Sequence, residues 1–414
     1  MRKPAMTRLA GTLAAIPISV MLSGVATSQT TGSGEVLNSQ INLSEIFSEQ
    51  TLNVQTVTEG VTASTLAHAN GVSVGVTNAD ASITSDQVNQ GAVYGHTVAN
   101  IGADAGAASA VRTTAVGNSA AFGASNGTVS GFSVQTNTAE VTARGQVEAE
   151  QASAADLTVS TLAMGNTQGV TLDNSSAGAR ITQSNQANVL ADGGAIVQYV
   201  SGTSAVTATT TGNNINVAGG NQSAARLITD QANTADVTQA SKFTAYGNSY
   251  LTATMATATG NNLSADNEGP LLDVASHQWN TSYVRGQAEG SSYQFGAAQT
   301  GAYAIGNSSQ VNNVGTEVVL DNLQTNTGGG VEAVARFEGA EGYDAVTTAT
   351  AMGNAVSSYA CSRCNARMTV TNTQNNSADI GASSSTTISS SGRQVTGVST
   401  AIGNNAGFTV GSPY

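Results

Sequence analysis

Charge, aromatic rings and lysine are all scarce in this 414-residue chain. Only 9% of residues are charged and 4% are aromatic, lysine occurs only at Lys3 and Lys242, and there are 4 prolines and 2 cysteines. An ordinary soluble enzyme is about 25% charged, and binding to nucleic acid needs clustered Lys and Arg. A formal charge of −13 therefore speaks against nucleic acid as a partner. Disorder fits no better, because disordered acidic chains are rich in Glu, Lys and Pro. Bulky core formers are few, with 7 Phe and 1 Trp, so a thick globular core is not expected. What fills the chain is Ala, Gly, Ser, Thr, Asn, Gln and Val, including 46 glycines. Such residues suit extended backbone, closely packed layers and polar side-chain ladders.

The first 26 residues read as a secretion signal. Arg2, Lys3 and Arg8 precede an apolar run from Leu9 to Val20, and Gly24-Val25-Ala26 supplies small residues for cleavage. No second run reaches the roughly 20 apolar residues of a membrane-spanning helix. Export leaves 10 basic residues against 26 acidic ones. That acidity reads first as solubility and self-repulsion, and second as attraction for cationic partners. Residues 27–39 are expected to form an N-terminal arm or cap and residues 40–414 a repeat domain.

The repeat is the strongest signal. A Gln-x-Asn signature places its Gln at Gln40, Gln87, Gln135, Gln183, Gln231, Gln278, Gln324 and Gln374. A second signature ends in Gly-Asn, with Gly117, Gly165, Gly212, Gly260, Gly306, Gly353 and Gly403, while the first copy reads Ala69-Asn70. Each Gln precedes its Gly or Ala69 by 28 to 30 residues, so eight copies of about 47 residues are locked in phase. A β-branched residue six positions after the Gln forms a third regularity, at Ile46, Val93, Val141, Val189, Val237, Val284 and Ile380, with Val331 displaced by one.

Within a copy the pattern has period two. Ala139, Val141, Ala143, Gly145, Val147 and Ala149 alternate with polar or charged neighbours, which is the signature of a half-buried strand. These features predict an all-β solenoid, thin because its inward residues are small. Stacked copies bring equivalent amides together, so the eight glutamines are expected to form a ladder. The Gly-Asn glycines are expected at corners, where Gly and Asn tolerate positive φ. Two rungs per copy are expected, giving a rod roughly 75 Å long, against about half that for one wide rung per copy. Residues 27–39 and the tail after Asn404 are the candidate end caps.

No hydrolase, phosphate-loop or zinc-protease motif is present, and no cofactor or metal set is expected. The protein is read as a non-enzyme. Cys361 and Cys364 sit in the longest arc between Gly-Asn and the next Gln, and they are expected to staple that loop with a disulfide. Ala191-Asp192-Gly193-Gly194 resembles a calcium nonapeptide but occurs once. His68, His96 and His277 are expected in exposed turns. Glu148, Glu150 and Asp156 form the densest acidic patch and read as a solvated face, the alternative being a glycan-cleaving pair. Trp279, inside a Gln-x-Asn motif, reads as a packing substitution or, alternatively, a sugar platform.

Phased Gln-x-Asn and Thr-x-Ala-x-Gly-Asn signatures, as in Thr161-Leu162-Ala163-Met164-Gly165-Asn166 and, less strictly, Thr400-Ala401-Ile402-Gly403-Asn404, resemble the holdfast-anchor proteins of stalked alphaproteobacteria, specifically their large D component. The resemblance covers the whole mature chain. It implies a cell-surface, outer-membrane-associated structural anchor for an adhesive polysaccharide. Implied partners are a small curli-like subunit and an outer-membrane subunit similar to curli secretion pores. The Gln/Asn/Gly rhythm is also similar to curli subunits, which leaves self-association into an amyloid-like fibre as an alternative. A glycan-active β-helix enzyme is the second alternative.

Overall fold

A computed structural model describes residues 33–361 and 366–411. Among them there is no helix, and all strand pairs are parallel. Copy one supplies β1 (Gly34–Asn42), β2 (Ile46–Thr56) and β3 (Thr62–Thr77). Copy two supplies β4 (Asp80–Asn89), β5 (Val93–Asp104) and β6 (Ala108–Ser125), and copy three β7 (Thr128–Asn137), β8 (Val141–Ala154) and β9 (Asp156–Asp173). In copies four to seven the second and third segments fuse, giving β10 (Ser176–Asn185) and β11 (Val189–Gly220), β12 (Ala224–Asn233) and β13 (Val237–Asn267), β14 (Leu271–Asn280) and β15 (Tyr283–Asn313), and β16 (Glu317–Asn326) and β17 (Val331–Ala360). Copy eight separates again into β18 (Arg367–Asn376), β19 (Ile380–Ser391) and β20 (Gln394–Val410).

The architecture is a β-solenoid. The first segments stack as an eight-stranded sheet, β1-β4-β7-β10-β12-β14-β16-β18, and the second and third segments stack beside them. Gln40 pairs with Gln87, and Gln87 with Gln135, so residue i meets its equivalent in the next copy. One copy is therefore one rung, not two. The ladder chemistry explains the difference: side-chain amides at about 4.8 Å spacing reach only the adjacent rung, so a signature recurring once per copy bonds only if copies are adjacent. The stack is about 35 Å long, roughly half the expected rod.

Small inward residues let each wide rung close into a thin core. Between the first segments and the C-terminal half of the third lies one apolar compartment, containing Ile83, Phe122, Ile181, Leu227, Leu272 and Leu320. A second, almost wholly Ala and Val, includes Val93, Val141, Val189, Val284 and Val331. Val237 leaves this series: its neighbour Thr238 pairs with Val189 and Val284 and takes the inward position. Toward the far edge, where the second segment turns into the third, Val111, Leu157, Val159 and Val206 fill a third compartment. All the register shifts along the strand pairs fall at this far edge, for example between Val54 and Thr56 and between Val200 and Thr203.

Among the described residues neither expected cap is separate from the stack. Gly34 to Ser39 of the arm form most of β1, and Asn405 to Val410 of the tail pair with Asn-following residues Ala355 to Ala360. The serine-rich stretch Ser383 to Ser391 is strand, within β19.

Candidate functional site

The features common to every copy converge at a waist between the apolar compartments. The inward Gln side chains form a continuous ladder in which each Nε2 donates to the Oε1 of the preceding copy at 2.7 to 2.9 Å, from Gln87 onto Gln40 through Gln374 onto Gln324. The Asn of each Gln-x-Asn forms a second ladder at 2.7 to 2.9 Å, from Asn42 to Asn376. A third runs through the Gly-Asn asparagines at 2.7 to 2.9 Å, from Asn70 to Asn404. Both asparagine ladders donate toward the C-terminal end, and the glutamine ladder donates toward the N-terminal end.

The ladders are also stapled across the core. Each Gln Nε2 gives its second proton to the backbone carbonyl that follows the Gly-Asn asparagine, as from Gln135 to Thr167 at 2.9 Å and from Gln231 to Asn262 at 2.9 Å. In return the Gly-Asn asparagine donates to the carbonyl of the middle residue of the next Gln-x-Asn, as from Asn118 to Thr136 and from Asn261 to Trp279, both at 2.9 Å. Interior members are wholly buried, so each amide is satisfied inside the protein. A typical bond of this kind contributes about 1 kcal/mol, whereas an orphaned buried partner costs about 1 to 3 kcal/mol.

The seven Gly-Asn glycines lie inside strands, and none has positive φ. Turn geometry is therefore not their reason, which corrects the corner expectation. Inward parity flips at these glycines, from Val159, Thr161 and Ala163 before Gly165 to Asn166, Gln168 and Val170 after it. A Cβ on Gly212 would sit 2.6 Å from the Gly260 carbonyl oxygen and 2.7 Å from Asn233 Oδ1. Gly165, Gly260, Gly306 and Gly353 are equally confined, and at Gly117 the same two groups lie at 2.6 and 2.9 Å. These six glycines let the two sides of the waist approach; the first copy carries Ala69 there, and in the last a Cβ on Gly403 would lie 3.6 Å from Asn376 Nδ2. Positive φ falls instead on Asn78, Asn126, Asn174, Asn221 and Gln222 at the junctions between copies, and on Gly60, Gly106, Gly193, Gly328 and Gly330 elsewhere.

The repeat pattern concealed the buried Lys242. It lies opposite Gly193, between the pairs Ala191–Ala240 and Gly194–Phe243, and Gly193 in turn pairs with Gly145. Two glycines thus leave a channel that the Lys242 side chain fills backwards through two rungs. Its Nζ donates to Thr161 Oγ1 at 2.6 Å, the Asp192 carbonyl at 2.9 Å and the Gly145 carbonyl at 3.2 Å. Burial, opposed in part by Asp192, lowers its pKa to about 7. Tyr246, also buried, is pushed up to about 12, with its hydroxyl 2.6 Å from Ser204 Oγ.

The remaining candidates are dispersed. His68 lies in β3 and is largely buried, with its pKa lowered by that burial, while His96 and His277 are on β5 and β14 beside Glu49 and Asp230 at 3.8 and 3.3 Å. None of the three is in a turn. Glu148 and Glu150 project outward along a shallow groove with Asn53, Asn100 and Gln151, whereas Asp156 accepts the Thr203 N–H at 2.7 Å and is structural. Trp279 is exposed on the outside of β14. Among the described residues no group of three or more His, Cys, Asp or Glu side chains converges on a metal-sized site. Cys361 is buried, and Cys364 lies outside the described residues, as does the whole secretion signal.

Fold and waist together define a single-chain β-solenoid repeat protein held by buried amide ladders. The family model for Holdfast attachment protein D matches residues 55–330, about two thirds of the chain, and the chain belongs to that family. A curated relative, Holdfast attachment protein D of Caulobacter vibrioides, is 79% identical over 70 residues, which is 17% of this chain and 23% of the relative. No solved structure matches.

Proposed function

We propose that this protein is an exported structural anchor that attaches an adhesive polysaccharide, the holdfast, to the outer envelope. The observation that carries the reading is the family match over 55–330, which spans the ladder-bonded core of the stack. Its mechanics suit the task. Adhesive load along or across the stack is shared by parallel backbone bonding and by three side-chain ladders, so no single contact bears it. The expected partners are a small curli-like subunit and an outer-membrane secretion-pore-like subunit, at the cell surface. Deleting the gene and scoring adhesive shed into the medium tests the reading. Shedding without loss of adhesive synthesis is expected, and unchanged retention overturns it.

One observation favours self-association as a second role. Among the described residues the ladder ends are complementary: Gln40 has a spare donor and Asn42 and Asn70 spare acceptors, while Gln374 has a spare acceptor and Asn376 and Asn404 spare donors. Head-to-tail stacking of copies continues all three ladders in the same direction. Sedimentation of purified protein over a concentration series tests this; a persistent monomer at every concentration removes it.

A further inference from the structure

The far edge of the rungs differs along the stack. In copies two and three a short break carrying Gly106 or Ala155 separates the second and third segments. In copies four to seven β11, β13, β15 and β17 run through the edge unbroken, and each places one exposed tyrosine there. Tyr199, Tyr250, Tyr293 and Tyr343 are 47%, 67%, 63% and 61% exposed. Among the described residues they are the only tyrosines exposed to this degree.

Register puts them on four consecutive rungs. Tyr199 pairs with Asn248, two residues before Tyr250, while Tyr293 adjoins the pair Gln294–Glu341 and Tyr343 the pair Phe295–Gly342. In copies six and seven the edge is filled by Phe295 and Phe337, packed edge to face at 5.1 Å, with Ala298 and Ala345. Gly296 lies close against Tyr250: a Cβ there would sit 2.4 Å from the Tyr250 carbonyl oxygen and 3.3 Å from its Cδ2. Polar groups flank the rings. The Arg393 guanidinium lies over Tyr343 at 5.4 Å and pairs with Asp344, and Gln294 donates to Glu341 at 3.4 Å.

The fold does not need these rings in water, since copies two and three cross the same edge without them. Their aromatic faces carry negative charge density, which attracts the C–H faces of sugar rings, while the neighbouring carboxylates, amides and guanidinium match hydroxyls. The rings advance by one rung, about 4.8 Å, per copy and are staggered along the strands: Tyr250 and Tyr343 share a column through Gly296, and Tyr199 and Tyr293 lie two and three residues before it. We infer that this edge binds a polysaccharide chain directly, with Tyr199, Tyr250, Tyr293 and Tyr343 each packing against a sugar of one strand that crosses the rungs. The identity of that polymer as the adhesive rests on the anchoring reading above. The strand-held edge is rigid before binding, so little ordering is lost on contact.

The test uses the full-length protein in cells, with surface level and strand content measured for every variant. Replacing all four tyrosines by Ala is expected to release adhesive into the medium as gene deletion does, and replacing all four by Phe to retain it. For purified protein on polysaccharide collected from the deletion strain's medium, the Ala variant is expected to lose about tenfold or more in affinity. Full retention of adhesive by a normally displayed Ala variant, while deletion still sheds it, overturns the glycan edge and leaves the anchor standing. Retention after deletion overturns the anchor itself. Loss of a protein partner from the Ala variant with unchanged polysaccharide affinity also overturns the inference.

Discussion

The waist and the far edge of the same rungs obey opposite rules. At the waist every copy supplies a Gln, an Asn and a second Asn, each bonded to its counterpart above and below. At the far edge the copies differ in residue type, in strand continuity and in register. The contrast shows where stacking constrains the chain. Neighbouring rungs must match where buried side chains exchange hydrogen bonds, because one mismatch orphans groups on both sides. At an edge open to water, only backbone pairing must continue, so the side chains are free to differ and to bind.

Breaking the waist should have the largest effect. Gly212→Val forces a branched side chain against the Gly260 carbonyl and Asn233, and it should cost about 3 kcal/mol or more or prevent folding. Denaturant unfolding of the variant against the parent checks this. Next comes Gln231→Leu, which orphans the Gln183 acceptor, the Gln278 donor and the Asn262 carbonyl. A loss of about 2 to 4 kcal/mol is expected, whereas Gln374→Leu at the open end should cost under about 1 kcal/mol. Equal costs at both sites would remove the ladder argument.

Lys242 sharpens the comparison differently, because it lies between waist and edge and titrates. Its folded pKa of about 7 is below the ordinary 10.5, so between those values the unfolded chain holds more protons and stability rises with pH. The penalty is fully present below about 7 and is gone above about 10.5. Thermal unfolding from pH 6 to 10 should therefore show a rise worth on the order of a few kcal/mol, absent in Lys242→Met. The smallest effect belongs to the outside of the first sheet: Trp279→Thr should change stability by less than about 0.5 kcal/mol, since its part in the ladder is played by its carbonyl.

How much of this was legible in the sequence follows from the same contrast. Gln87 and Gln135 advertise themselves because a ladder requires identical residues in phase, and the inward Ala and Val of Val141 to Ala149 show their strand by alternation. The number of rungs per copy was not legible, since it depends on how wide a ring of small residues closes. Neither was the reason for Gly212, a close approach between segments 21 residues apart at Asn233. Lys242 was hidden because its space is made by two glycines in earlier copies. The tyrosines escaped because register shifts scatter them: Tyr199, Tyr250, Tyr293 and Tyr343 follow their copies' glutamines by 16, 19, 15 and 19 residues.

One rung per copy is the claim on which ladders, length and edge all depend. Ser82 and Ser130 are paired, exposed neighbours on successive first segments. Parallel neighbours at about 4.8 Å lie within disulfide reach. With Cys361 and Cys364 replaced by Ser, the Ser82→Cys/Ser130→Cys protein should close a disulfide under mild oxidation, and Ser82→Cys paired with a cysteine about half a copy away, at the exposed Ala107, should not. Closure of the half-copy pair and failure of the full-copy pair would contradict the account.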